Sequence, residues 1–225
     1  HHGLLGGAVV FFGVHPQTGK RFVVQSLEGG GWGGRPTEDG ESATVSVCQG
    51  DVRNGSIEGI ELKCPVLIES RALRPDSCGA GKHRGGLGLD VRVRNLVEGR
   101  WNFEHTKRQN CPPWGLWGGA PGEFGGYLMR LPGEAEFKPM RGAHVAVPIG
   151  AEAIIRTGGG GGWGDPLERD PLAVARDVRE ELISVEAARR DYGVALGAGG
   201  APDRESTAQL RAAAKAGKAA EGKGL

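Results

Sequence analysis

Short runs of β-branched and aromatic residues, separated by glycine- and proline-rich turns, fill the first 165 positions. Such runs predict strands over 9–14, 21–27, 43–48, 64–71, 89–96, 127–131 and 143–149. Asp90-Val91-Arg92-Val93-Arg94 alternates polar and apolar side chains, the pattern of an antiparallel strand with one buried face. Pro65 at the head of its run suits a strand start, because proline cannot donate to a central ladder. Pro112-Pro113 and Pro121-Gly122 mark loops, and a hairpin is expected around Gly99.

The period changes at Asp165. Asp170 is placed to cap a helix whose first residue, Pro171, has no N–H to lose, and Leu172, Ala175, Val178 and Leu182 follow at helical spacing. Ser184 reads as a second N-cap with Glu186 in the first turn, and Gly193 as a left-handed C-terminal stop. Residues 197–202 read as a flexible linker, and the Ala-rich stretch 206–220 as one more helix with few large apolar residues to pack. The expected organisation is a β-rich body over 1–165, a helical hairpin over 166–196, and a linker with a flexible or helical tail over 197–225. The fold class is α+β, with a mainly antiparallel β body.

Composition sharpens this picture at two points. Glycine supplies 42 of 225 residues, against an average near 7%, without a Gly-X-Y period. The 28 basic and 27 acidic side chains nearly cancel, which gives no electrostatic reason to expect nucleic acid or an anionic membrane as partner. The longest apolar stretch near the start, 4–14, is too short to span a bilayer, which needs roughly 20 residues. It also lacks the flanks of a signal peptide. An opening at His1-His2 without an initiator Met reads as a processed, tagged or fragmentary chain.

Candidate chemistry is sparse. Cys48, Cys64, Cys78 and Cys111 contain no C-x-x-C pair, so reduced thiols in a cytoplasmic protein are expected. The six histidines show no metal-ligand spacing. The tract Gly158 to Gly162 is followed by Trp163-Gly164-Asp165, with no lysine for phosphates and no hydroxyl for magnesium, so a P-loop is excluded and a close-packed turn expected. Tryptophans flanked by glycines, at Trp32, Trp114 and Trp117, read as plugs holding loops to the core or as a ligand platform, with the plug favoured. Arg74 and Arg84 could hold a carboxylate or carbonyl as a fork, or one of them could simply pair with Asp76. Asn54, Glu58 and Glu61 bring two acids close enough for proton transfer, although solvated carboxylates on a loop are commoner.

Taken in order, several blocks resemble the carboxy-terminal half of the hydantoinase B/oxoprolinase family. They are Gly30-Gly31-Trp32-Gly33, Gly50-Asp51-Val52-Arg53-Asn54 through Glu61, and Leu73 to Gly81 with Arg84 to Gly88. Pro112 to Gly119, Thr157 to Gly160 with Gly164 to Pro171, and Arg190 to Val194 complete the set. The resemblance covers about residues 20–195; Cys78 stands where glycine is expected.

The resemblance implies one part of an ATP-dependent cyclic-amide hydrolase or of a related ketone carboxylase. It further implies a hydantoinase A-type partner that binds ATP and Mg and phosphorylates the substrate. A divalent metal would sit in an amino-terminal half outside this sequence. On that basis Asn54, Glu58, Arg74, Asp76 and Arg84 are the candidates for groups facing the shared cleft. A non-catalytic docking scaffold is the competing reading. The isolated chain is expected to be inactive alone and to self-associate through surface that the missing half would cover.

Overall fold

The computed structural model describes residues 7–45, 55–103 and 111–221. Asn54, Cys48 and His105 lie outside them. Two antiparallel sheets form the body. In the first, β2 (Arg21–Glu28), β1 (Gly7–Val14), β5 (Gly99–Phe103) and β8 (Gly142–Val147) lie in that order. In the second the order is β3 (Val66–Leu73), β4 (Leu89–Asn95), β9 (Glu152–Arg156), β6 (Gly126–Arg130) and β7 (Lys138–Pro139).

The core lies between the sheets. Val9, Phe11, Trp101, Phe103 and Val147 from the first meet Val66, Val91, Val93, Tyr127, Met129 and Ile155 from the second. An aromatic series crosses the interface: Phe11 stands edge-on to Trp101 at 4.8 Å and Phe103 edge-on to Tyr127 at 5.4 Å. The Tyr127 hydroxyl donates to the Ala8 carbonyl at 3.0 Å, tying the second sheet to the first. Fully buried Glu28 accepts from Arg71 of β3 at 3.0 Å, a charged link between the same two layers.

Alternation in β4 falls as its sequence implies: Leu89, Val91 and Val93 are buried while Asp90, Arg92 and Arg94 point away from the core. The hairpin expected at Gly99 does not form. β4 pairs with β3 and β9, β5 pairs with β1 and β8, and the chain changes sheets between them. It crosses again, from the first sheet to the second, between β8 and β9. Buried Asn95 holds both crossings, its amide donating to Val147 O at 2.8 Å and Pro148 O at 3.1 Å while its backbone N–H donates to Ala151 O. The carbonyls freed at these crossings are thereby satisfied by one buried amide.

Central strand β9 was not expected from the sequence. Ala153, Ile154 and Ile155 are buried in succession, so the strand shows no alternation to read. The strand expected over 43–48 is reduced, within the described residues, to a bridge between Thr44 and Gly30. A short helix, α1 (Ile57–Glu61), stands where a loop was expected, capped by Ser56 Oγ accepting from Gly59 N at 3.0 Å.

The glycine blocks form a layer of extended segments beside the sheets. Tract 158–162 runs through its middle. Gly31 and Gly34 donate to Gly158 and Gly161, Gly79 donates to Gly160 while Gly160 donates to Gly86, and Leu116 donates to Gly162 while Gly162 donates to Ala120. A sheet strand has neighbours on two sides; this tract has three bonded neighbours. The segment is not the turn expected. None of its five glycines has a positive φ. Glycine is required here by proximity: a methyl at 159, 160, 161 or 162 would strike the carbonyl of Ser77, Trp32, Trp114 or Ala80.

The helical hairpin forms where its caps put it. Asp170 Oδ1 accepts from Leu172 N at 3.0 Å to start α2 (Pro171–Arg179), and Ser184 Oγ accepts from Ala187 N at 3.0 Å to start α3 (Val185–Tyr192). Gly193 ends α3 at φ 60°. Residues 197–202 close a hydrogen-bonded turn, with Gly197 N donating to Ala201 O and a bridge between Leu196 and Pro202. The last helix, α4 (Arg204–Glu221), docks at its start through Arg211, which donates to Tyr192 O and Arg169 O.

Candidate functional site

A cavity of about 520 Å³ opens where the end of β3, the end of β9 and the 123–128 and 139–141 segments converge. Arg74 enters it one residue beyond β3. Its backbone N–H is fixed to Gly88 O, and its Nη1 donates to Phe124 O at 2.9 Å and Thr157 O at 2.8 Å. Arg156, the last residue of β9, stands opposite Asp90 of β4 in register and forms a two-pronged pair with its carboxylate at 2.9 and 2.8 Å. Arg141, Glu123, Phe124, Leu128 and Met140 complete the relevant wall.

The electrostatics are uneven. Asp90 holds Arg156 above the ordinary guanidinium range. Burial, and then the neighbouring Arg156 charge, push Arg74 below it, opposed by Asp90 and Glu123. Two cations therefore share the field of one forked carboxylate. Such a wall can hold an anionic group while Phe124, Leu128 and Met140 cover an apolar body.

Asn54 lies outside the described residues; of the other four candidates read from the sequence, Arg74 alone lines this cavity. Glu58 is exposed on α1, and Glu61 accepts from Ile68 N at 2.8 Å. Asp76 takes a left-handed backbone, φ 60°, and accepts from Ser184 N at 2.7 Å, fastening the hairpin turn to the body. It pairs with neither arginine of its segment within the described contacts. Arg156, Arg141 and Phe124 were missed; only the topology brings them beside Arg74.

Arg84 belongs to a separate buried network. Its Nε donates to Asp177 Oδ1 at 3.2 Å, and its backbone N–H donates to Asp39 Oδ1 at 2.9 Å. Arg169, 3% exposed, forks onto Asp39 at 2.6 and 2.7 Å and donates through Nε to Asp177 at 3.0 Å. Burial raises the Asp39 carboxyl, but Arg169 and Arg84 outweigh it and hold it below the usual range. The network joins loop, hairpin and body, and each charge in it is answered.

Tract 158–162 offers no phosphate cradle, since Gly159, Gly160 and Gly162 donate their N–H groups to carbonyls of the protein. Among the described residues no group of three His, Cys, Asp or Glu side chains could hold a metal ion. No described helix is long and apolar enough to cross a membrane. The tryptophans divide: Trp32 is half-buried with Nε1 donating to Val45 O, Trp163 packs on His83, and Trp117 is 80% exposed.

The chain is 34% identical over 170 residues to the beta subunit of caprolactamase from Pseudomonas jessenii, covering 74% of this chain and 29% of that one. It is 31% identical over 192 residues to the B-type subunit of a putative D-/L-hydantoinase from Pseudomonas sp. strain NS671, covering 84% and 32%. The crystal structure of ATP-dependent caprolactamase from Pseudomonas jessenii superposes on 94% of this chain and 38% of that one, with TM-score 0.81 at 27% identity. Nucleotide-free acetone carboxylase matches 95% of this chain and 33% of that one, with the same TM-score at 25% identity. The chain thus spans about a third of the length of such relatives. The hydantoinase B/oxoprolinase family model matches residues 5–166, well over half of the sequence, and the chain belongs to that family.

Proposed function

We propose that this chain is the carboxy-terminal portion of the B-type subunit of an ATP-dependent cyclic-amide hydrolase. The observation that carries the reading is the likeness to caprolactamase in sequence and fold together. Acetone carboxylase matches the fold equally well, and among ketone carboxylases the acetone carboxylase alpha subunit is 27% identical over 222 residues and the acetophenone carboxylase delta subunit 30% over 246, against 34% over 170 for the caprolactamase beta subunit. The hydrolase reading is supported by the higher identity to the caprolactamase subunit, 34% against 30%.

An amide carbonyl is a weak electrophile. Transfer of the γ-phosphoryl of ATP to its oxygen releases ADP and activates the carbon. One water then adds, the ring C–N bond breaks to free the amine, and a second water converts the acyl phosphate to carboxylate and phosphate. In this reading a hydantoinase A-type partner supplies ATP and Mg, a divalent metal is held by residues amino-terminal to this sequence, and this chain supplies a wall of the shared chamber. The assembly is a hetero-oligomer, and the chain alone turns over neither ATP nor cyclic amide.

The test is ADP release by the intact complex. Dependence on a lactam, 5-oxoproline or a hydantoin is expected. Dependence on bicarbonate with acetone or acetophenone would replace the hydrolase by the carboxylase reading. Unchanged turnover in Arg74→Ala and Asp76→Ala complexes, with weakened subunit association, would make the chain a docking scaffold.

A further inference from the structure

We propose that the cavity between β3, β9 and β6 binds a small carboxylate carried on an apolar body, its anionic end on Arg74 and Arg141 beside the Asp90-paired Arg156 and its body against Phe124, Leu128 and Met140. Three observations carry this.

The first is incomplete charge compensation. Asp90 occupies the fork of Arg156, and Arg74 spends Nη1 on two carbonyls, leaving Nε and Nη2 without a recorded acceptor among the described residues. Exposed Arg141 makes no ion pair among the described contacts. Glu123 is the one acid in the lining against three arginines. A planar carboxylate matches the open side of a guanidinium fork.

The second is the apolar remainder of the wall. Phe124 is 42% exposed, and its own carbonyl anchors Arg74. The third is rigidity. Arg74 is pinned from both sides by backbone groups, and Arg156 is held by strand register, so the cations are in place before a ligand arrives. The volume of about 520 Å³ lies within the ordinary range of small-molecule sites.

Ring opening of a cyclic amide creates this chemistry: a new carboxylate at the end of a short carbon chain. The identity of the physiological ligand as a ring-opened product rests on the hydrolase reading; the binding itself does not. A cavity of this kind would retain product and make its release sensitive to carboxylate concentration.

The experiment is titration calorimetry on the intact complex without nucleotide, using hexanoate, hexanamide, acetate and inorganic phosphate. Hexanoate is expected to bind at least tenfold tighter than hexanamide, which lacks the charge, and than acetate, which lacks the body. Arg141→Gln, which disturbs no recorded bond, should weaken hexanoate several-fold, and Arg74→Gln at least tenfold. Equal binding of hexanamide, equal binding of phosphate, no binding of hexanoate, or wild-type affinity in Arg141→Gln would each overturn the assignment. If Arg74→Gln fails to assemble, the ligand series and Arg141→Gln decide. Selective hexanoate binding in a complex that carboxylates ketones would keep the cavity and discard the hydrolase, so the two failures are separable.

Discussion

At Gly160 a hydrogen atom stands where any side chain would strike the Trp32 carbonyl, while the residue donates to Gly86 and accepts from Gly79. Backbone cannot retreat as a flexible side chain can. Gly160→Ala should therefore cost about 3 kcal/mol or more in denaturant unfolding. Gly199→Ala, with nothing within 4 Å of the added carbon, should stay within about 0.5 kcal/mol of wild type. Equal midpoints for the two variants would refute the close-approach account. Cysteine chemistry divides on the same scale. Burial, with Glu61 nearby, pushes the Cys64 thiol up to about 12, and burial pushes Cys78 up to about 11, whereas Cys111 is exposed. Alkylation at pH 8 followed by peptide mapping should mark Cys111 and leave Cys64 and Cys78 unmodified until denaturant is added. The type of residue was legible here; its reason was not. The glycine tract announces close packing, but its lack of positive φ, and the neighbours it bonds to, depend on what surrounds it.

Elements with local determinants were the most legible. Caps act within one turn, so Asp170, Ser184 and Gly193 could be placed from sequence and are found in those roles. Ser184→Ala should cost about 1 kcal/mol and Ser184→Asp should retain most of it, read from unfolding midpoints. Gly193→Ala should cost at least as much, because φ is 60° and the new carbon would lie 3.0 Å from Arg211 Cγ. Strand β4 was legible for a similar reason: one face is buried, so alternation survives in the sequence. Central β9 was not, because burial on both faces erases alternation. The hairpin expected at Gly99 failed for a longer-range reason. Whether two successive strands pair or part depends on which sheet each completes, and Asn95 carries no sign of that choice in its neighbours.

Across the whole molecule, the Asp39–Arg169–Asp177–Arg84 network joins body to hairpin, and Arg211 extends it to α4. Removing Asp177 takes the acceptor from both Arg84 Nε and Arg169 Nε in a buried setting, so Asp177→Ala should lose about 3 kcal/mol. The pH dependence has a definite sign. Asp39 is held below its ordinary value, so its contribution is complete above the unfolded carboxylate range, about pH 4, and is lost as pH falls through the lower folded value. Asp39→Asn should flatten that acid limb of a stability-versus-pH curve; an unchanged limb would show that Asp39 contributes nothing to it. The outer surface carries a second expectation. Val14 and Val23 are 50% and 68% exposed on the first sheet, and self-association of the isolated chain should appear in light scattering; a clean monomer would contradict it.

The sequence by itself determined the elements governed by neighbours a few residues away, the closeness of packing demanded by glycine, and membership of a family through ordered blocks. Tertiary structure decided which strands share a sheet, that Arg84 serves a buried network while Arg74 faces a cavity, and that Arg156 and Phe124 stand beside it. The physical reason is range. Caps, turns and alternation act over one to four residues, whereas a cavity is made by groups separated by scores of residues. Their meeting depends on the register and crossing of strands, which no local pattern encodes.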